Sequence, residues 1–287
     1  MINASKYLNE NDRPERKTWR MIRKAPVVLK NLFMTKDNKK FMTVDGHEFL
    51  VKENEEPIIP APQYIMHEAA AIWSGEYGLN ENNEWVDRIN NYTFTPINAS
   101  KVPLYDSANK LLNINDFGGM QSSLSLPATS EVPYTLELVV RDMDEAETSA
   151  RDNWGKLIGP EMNNWNNKSK SFGLSTFWNN YNNNAYAVTY RSSIDIHHYT
   201  TSKREHGLTT LTVVPTLGIW VNGEKEVDFN LDCAEIIFAL GSGVGSYNYT
   251  YASQTKFKVH GVRYYPMELT DEQIKNNYEV DKITYGE

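Results

Sequence analysis

From about residue 100 onward, apolar residues come in short runs separated by Gly, Pro and Asn. The runs include "KVPLYD" (101–106), "SSLSLP" (122–127), "PYTLELVVR" (133–141), "SFGLSTFW" (171–178) and "AYAVTYR" (185–191). Further on come "GLTTLTVV" (207–214), "LGIWVNGEKEVDF" (217–229), "AEIIFAL" (234–240) and "TKFKVHGVRYY" (255–265). The runs are six to thirteen residues long and rich in β-branched and aromatic side chains, so each predicts a strand, and residues 217–229 a hairpin of two. No long amphipathic helix lies between them and no fixed-period repeat is visible. Many short strands in series predict a sandwich or jelly roll.

Three local signals sharpen that reading. Asn222-Gly223 supplies the two positive-φ positions of a type I′ turn, with Ile219, Val221, Val227 and Phe229 alternating onto one face of the hairpin. In "KFKVHGVRYY" the apolar phase switches, because Phe257 and Val259 share one parity and Val262 and Tyr264 the other. A regular strand cannot do this and keep one face buried, so a bulge is expected at His260-Gly261. After Pro266, Thr270 is a helix N-cap with Gln273 three residues on, and Leu269 and Ile274 have the spacing of a hydrophobic staple. Ile274 and Tyr278, four apart, are expected to share the face that packs on the sheet.

The turn "WVNG", the strand "VHGVRYY" and the helix "MELTDEQIKNNY" together resemble the laminin-G-like, concanavalin-A-like jelly rolls. In that family a strand of the form G-x-I-x-x-V-R-I-Y leads into R-x-L-T-x-E-E-I-x-x-N-Y. Val259, Val262, Arg263, Tyr264, Leu269, Thr270, Glu272, Ile274, Asn277 and Tyr278 match it, while Phe257 stands where Gly is usual. "DFGGMQSSLSLP" followed by "YTLELVVRDMD" resembles the family's early strand pair. The resemblance spans residues 64 to 287. It implies an all-β, two-sheet antiparallel jelly-roll sandwich with a short C-terminal helix over its edge and an extended N-terminal arm. The closing "NYEVDKITYG" further resembles laminin-G-like proteins of gut-bacterial phages, which implies a virion component.

The first sixty residues differ in texture. "ENEEPIIPAP" (53–62) is acidic, then Pro-rich, and reads as a linker. The expected organisation is therefore a docking arm and linker over 1–62 and a jelly roll over 63–287. The net charge of −8 hides a division, since ten Lys or Arg stand against two acids between Arg13 and Lys40. Trp19, Leu29 and Phe33 are interleaved with Arg20, Arg23 and Lys24. A solvated tail has little reason to carry that apolar surface, so these six residues are the expected anchors on a partner protein in an assembly. Direct contact with nucleic acid is not expected. Hydrophobic residues at 40% and aromatics at 12% suffice for a sizeable core. A single cysteine, Cys233, excludes an intrachain disulfide framework. No export signal and no apolar run of membrane-spanning length is visible, which fits a virion protein made in a host cytoplasm.

Candidate chemistry is sparse. Glycan hydrolysis on this fold resembles a strand carrying paired carboxylates, and "SIDIHHY" (193–199) offers Asp195 and His197 on one face with no Glu partner. No Gly-x-Ser-x-Gly elbow is present. His197 and His198, adjacent on a strand, point to opposite faces and cannot chelate together, and His206 adds no ligand set. "RDMDEAETSARDN" (141–153) clusters acids, and Asp142, Asp144 and Glu147 are the place where calcium would sit; a solvated acidic loop is the simpler reading. The Gly-rich "LGSGVGS" (240–246) lacks the spacing of a phosphate loop and reads as a turn. Residues 153–188 carry Trp154, Trp165, Trp178 and Tyr181 among ten Asn. Rings for the apolar sugar face and amides for hydroxyls make these four the candidate glycan-binding residues, against a core-and-loop reading of the same stretch.

Two functions follow. The first is a non-enzymatic accessory component of a phage virion, present in many copies, anchored by its arm and meeting protein or host glycan through the jelly roll. The second is a bacterial carbohydrate-binding module or glycoside hydrolase of the concanavalin-A-like superfamily.

Overall fold

Strand β7 (Thr135–Arg141) shows how the sandwich is built. Leu136, Leu138 and Val140 point into the core, while Thr135, Glu137 and Val139 on the other face are just as buried. The strand is therefore covered on both sides: by a second sheet within and by the C-terminal helix without. The computed structural model describes residues 62–286 apart from 69, 115–117, 142–153, 161–169, 178–184, 193–194, 204–206 and 242–255. The expected arm residues, Trp19 to Phe33, lie outside the described residues.

Among the described residues every strand pairing is antiparallel. The first sheet runs β14 (Glu224–Asp228), β13 (Gly218–Val221), β12 (Leu208–Val214), β7, β16 (Phe257–Tyr265), β5 (Leu111–Ile114), β4 (Leu104–Asp106). Beside β5, β1 (Ala71–Ser74) pairs with the far end of β16. The second sheet runs β11 (Ile196–Lys203), β10 (Ala185–Arg191), β9 (Ser171–Phe177), β8 (Trp154–Pro160), β15 (Ile236–Leu240), β6 (Met120–Leu126), β3 (Thr93–Pro96), β2 (Trp85–Val86). The chain is thus the two-sheet antiparallel sandwich with one C-terminal helix that the resemblance implies. Trp73, Phe94 and Phe238 meet between the sheets, with centroids 4.7 Å apart for Trp73–Phe94 and 5.4 Å for the edge-on Phe94–Phe238 pair. Such tilted and edge-on geometry suits the ring quadrupoles.

Each of the three local signals is realised. Asn222 and Gly223 have φ of 52° and 82° and join β13 to β14. The register of β16 shifts between Val259 and Gly261, so His260 is the bulged residue. Helix α1 (Asp271–Tyr285) opens with a full capping box, in which Gln273 N donates to Thr270 Oγ1 and Thr270 N donates to Gln273 Oε1. Leu269 and Ile274 are both buried in the small cluster at its start.

One expectation about α1 is corrected. Its buried residues are Ile274, Asn277, Val280, Asp281 and Tyr285, with Tyr278 only half-buried. Asn277 and Asp281 descend onto the outer face of the first sheet because Arg263 waits there. Arg263 donates from Nη1 and Nη2 to the two Asp281 oxygens at 2.6 and 2.7 Å, and from Nε to Glu137 at 2.6 Å. Asn277 Nδ2 donates to Glu137 and Tyr265, Thr212 donates to Glu137, and Thr210 donates to Asp281. The residues before β1 close this network from above. Tyr64 lays its ring 4.5 Å from the Arg263 guanidinium and donates to Asp281, while Ile65 N donates to Asn277 Oδ1. Burial of these charges is tolerated because nearly every donor and acceptor has a partner. The Val-Arg strand and the Asn-Tyr helix of the sequence resemblance are thus two halves of one clamp.

Candidate functional site

The bulge in β16 builds a second polar cluster, at the other end of α1. Pushed out of the ladder, His260 sends a fully buried imidazole to the outer face of the first sheet. Its Nδ1 lies 3.0 Å from the Lys110 carbonyl, and its Nε2 lies 3.0 Å from Arg141 Nε. A carbonyl only accepts and a guanidinium only donates, so His260 is the neutral Nδ1–H tautomer. Its ring stacks on Tyr285 at 4.5 Å. One buried histidine therefore meets two cationic residues from the strands on either side of β16.

Lys110 is held with equal care. It closes the β4–β5 turn at φ 53°, where Asp106 accepts from the backbone and side-chain amides of Asn109. Those bonds hold the Asp106 carboxyl below its ordinary range. A Cβ on Gly75 would lie 2.0 Å from the Lys110 carbonyl oxygen, so only glycine fits beside the turn. Lys110 Nζ donates to Thr284 O at 3.1 Å and pairs with Glu76 at 3.3 Å. Arg141 Nη2 donates to the carbonyls of Tyr285 and Gly286. Both cations thus serve the orphan carbonyls at the end of α1, where positive charge is favoured. Beside them is a pocket of about 300 Å³, walled by Ala108, Asn109, Lys110, Arg141, Thr284 and Gly286 among others.

Glu76 ties this pocket to an exposed aromatic edge. The next residue, Tyr77, is 54% exposed and carries the Arg88 guanidinium 3.6 Å above its ring. Tyr105 of β4, 37% exposed, lies against Gly78, where an added Cβ would fall 2.5 Å from Cε1 of the ring. Leu104 beside it is 64% exposed. Tyr77 follows Glu76 in the chain, and Tyr105 lies three residues before Ala108 of the pocket wall, paired with core-facing Leu112 and so on the inner face of β4, while Arg141 lines the pocket on the outer face. The sequence reading missed all of these residues.

The sequence-predicted site residues fare differently. Trp154 is in β8 but its side chain lies outside the description, and Trp165, Trp178 and Tyr181 lie outside the described residues altogether. The same holds for Asp142, Asp144 and Glu147, the expected calcium position, and for His206. Asp195 precedes β11 rather than joining it, and its backbone closes a turn with Ser192. His197 and His198 pair with Tyr190 and Thr189 and so face opposite sides of the sheet; the first stacks on Tyr190 and the second meets the Thr189 hydroxyl.

No family model and no curated protein matches this chain. Solved structures do. The Trypanosoma rangeli sialidase is 14% identical with a TM-score of 0.49, over 80% of this chain and 36% of that one. Its covalent complex with 2,3-difluorosialic acid scores the same over 75% and 33%. The botulinum neurotoxin serotype G binding domain is 9% identical with a TM-score of 0.48, over 74% and 51%. The chain spans about a third to a half of these structures, and likeness at this identity speaks to the β-sandwich alone. Two expectations change on these findings. The expectation that the chain is not an enzyme does not stand, because the solved structures it is similar to include sialidases, which are enzymes. The phage-virion reading gains nothing, since none of these structures points to a virion protein.

Proposed function

We propose that this chain is a carbohydrate-recognising β-sandwich, and that sugar meets it at the corner formed by Tyr77, Tyr105 and the pocket beside Lys110. One observation carries the reading: two exposed rings are held by Arg88 and Gly78 on the β4 side of the sheet, and the turn that ends β4 lines a polar pocket of about 300 Å³. A pyranose has an apolar C–H face and a rim of hydroxyls. Tyr rings match the first, while Glu76, Asn109 and the carbonyls of α1 match the second. The rings lose little freedom on binding because Arg88 and Gly78 already fix them, which limits the entropic cost of binding. Carbohydrate recognition thereby takes precedence over attachment to a virion, for which the described residues offer no support.

The test is a glycan array probed with the full chain and with Tyr77→Ala and Tyr105→Ala, with released reducing ends scored on every glycan bound. Binding that falls about tenfold or more in each variant, as loss of a stacked ring implies, supports the assignment. An array without any bound glycan would sink it.

A further inference from the structure

We infer that the glycan bound at this corner is acidic, and that Arg141 and Lys110 receive the carboxylate of one sugar. The inference rests on the carbohydrate reading and names the ligand class. Arg141 spends Nε on His260 and Nη2 on two carbonyls of α1, which leaves Nη1 unspent on the pocket wall. Lys110 has three protons and two partners, Thr284 O and Glu76. Two charge-assisted donors thus line one cavity beside the turn that ends β4.

Charge bookkeeping sets the size of the anion. Two cations stand against Glu76 and the half-charge of the helix end, leaving roughly +0.5 at the pocket. Lys258, next to Arg141 across the β16–β7 ladder, acts on the Asp106 carboxylate that holds Asn109 of the pocket wall, so this second pair leaves the balance unchanged. That field suits a single carboxylate and is too weak for a densely sulfated run. His260 adds no charge; as a neutral acceptor it keeps the Arg141 fork from swinging away, and is a positioning residue.

The experiment is calorimetric titration of the full chain with an oligogalacturonate, its methyl ester and a sulfated oligosaccharide of equal length. Free acid and ester differ only in the charge at issue. The acid should bind at least about tenfold tighter than the ester. Lys110→Met, which keeps the aliphatic stem, and Arg141→Gln should each cut the preference for acid over ester to about twofold or less, the ratio being read whatever happens to the affinity of both. Thermal melts verify folding, and Lys110→Met carries the test if Arg141→Gln does not fold. Equal affinity for acid and ester, or tighter binding of the sulfated sugar, overturns the inference and leaves carbohydrate recognition standing. If no sugar binds here or on the glycan array, both fall.

Discussion

Replacing Arg263 with Met is the sharpest perturbation of the sandwich. Arg263 is 1% exposed, and the carboxylates of Glu137 and Asp281 that it serves are fully buried. Met fills much of the same volume, so loss of packing is minor and the effect isolates charge. The variant strands two carboxylates that no cation faces. Removing one partner of a buried pair costs about 3–5 kcal/mol, and two stranded carboxylates place this site toward the upper end. For a domain of this size that corresponds to a fall in Tm of about 6–20 °C. Urea unfolding followed by Trp fluorescence is the assay, because Trp73, Trp85 and Trp220 are all buried. Lowering the pH should narrow the deficit, since the stranded carboxyls take up protons and cease to be charged. Converting Glu137 and Asp281 to Met and Leu in the same chain should recover only part of the loss, because Tyr64, Thr210, Thr212 and Asn277 then lose their acceptors. A deficit below about 1 kcal/mol for Arg263→Met alone would refute the reasoning, because surface ion pairs behave that way.

Tyr64→Phe removes the hydroxyl bonded to Asp281 and keeps the ring over Arg263, so it should cost about 1.5–3 kcal/mol in the same urea assay. Burial, opposed by Arg263 and assisted by Asp281, pushes the Glu137 carboxyl above its ordinary value. A carboxyl raised on folding adds stability at acid pH and loses it as the pH climbs through the folded value, so Glu137→Gln should gain on the wild type as pH rises above about 4.5; a pH-independent difference would contradict this. Gly75→Ala should destabilise by about 1–3 kcal/mol and disturb Lys110, since its Cβ meets the Lys110 carbonyl. Burial pushes the Cys233 thiol up to about 12, so iodoacetamide should label it only at the rate of unfolding, and prompt labelling of native protein would be the contrary result.

What was legible in the sequence was local. The Asn222-Gly223 turn, the phase switch around His260 and the Thr270–Gln273 cap each depend on neighbours within a few residues, and all three appear in the structure. Strands β1, β2, β3 and β5 are two to four residues long and were not recognised, because so short a run shows no period. Strand β8 was read as part of an aromatic, Asn-rich stretch. Asn277 and Asp281 were given no place on the packing face of the helix, where Ile274 and Tyr278 were expected, yet both belong to the buried face of α1. Their reason for being buried is Arg263 and Glu137, and the latter is 140 residues from Asn277. The candidate site was hidden for the same cause. The bulge told that His260 leaves the ladder, not that it would bridge Lys110 and Arg141, which stand 150 and 119 residues away in the chain. Tyr77 and Tyr105 lie in loop and edge segments with no periodic signal, whereas Trp154, Trp165, Trp178 and Tyr181 drew attention by their density alone.

The most direct test of carbohydrate recognition at the bulged corner is chemical-shift mapping of the full chain with the best ligand from the glycan array. The account predicts shifts confined to Tyr77, Tyr105, Lys110, Arg141 and their neighbours, with the His260 Nδ1–H signal retained on binding. Shifts that fall instead on Trp154, Trp165, Trp178 and Tyr181, with the Lys110–Arg141 corner silent, would contradict it.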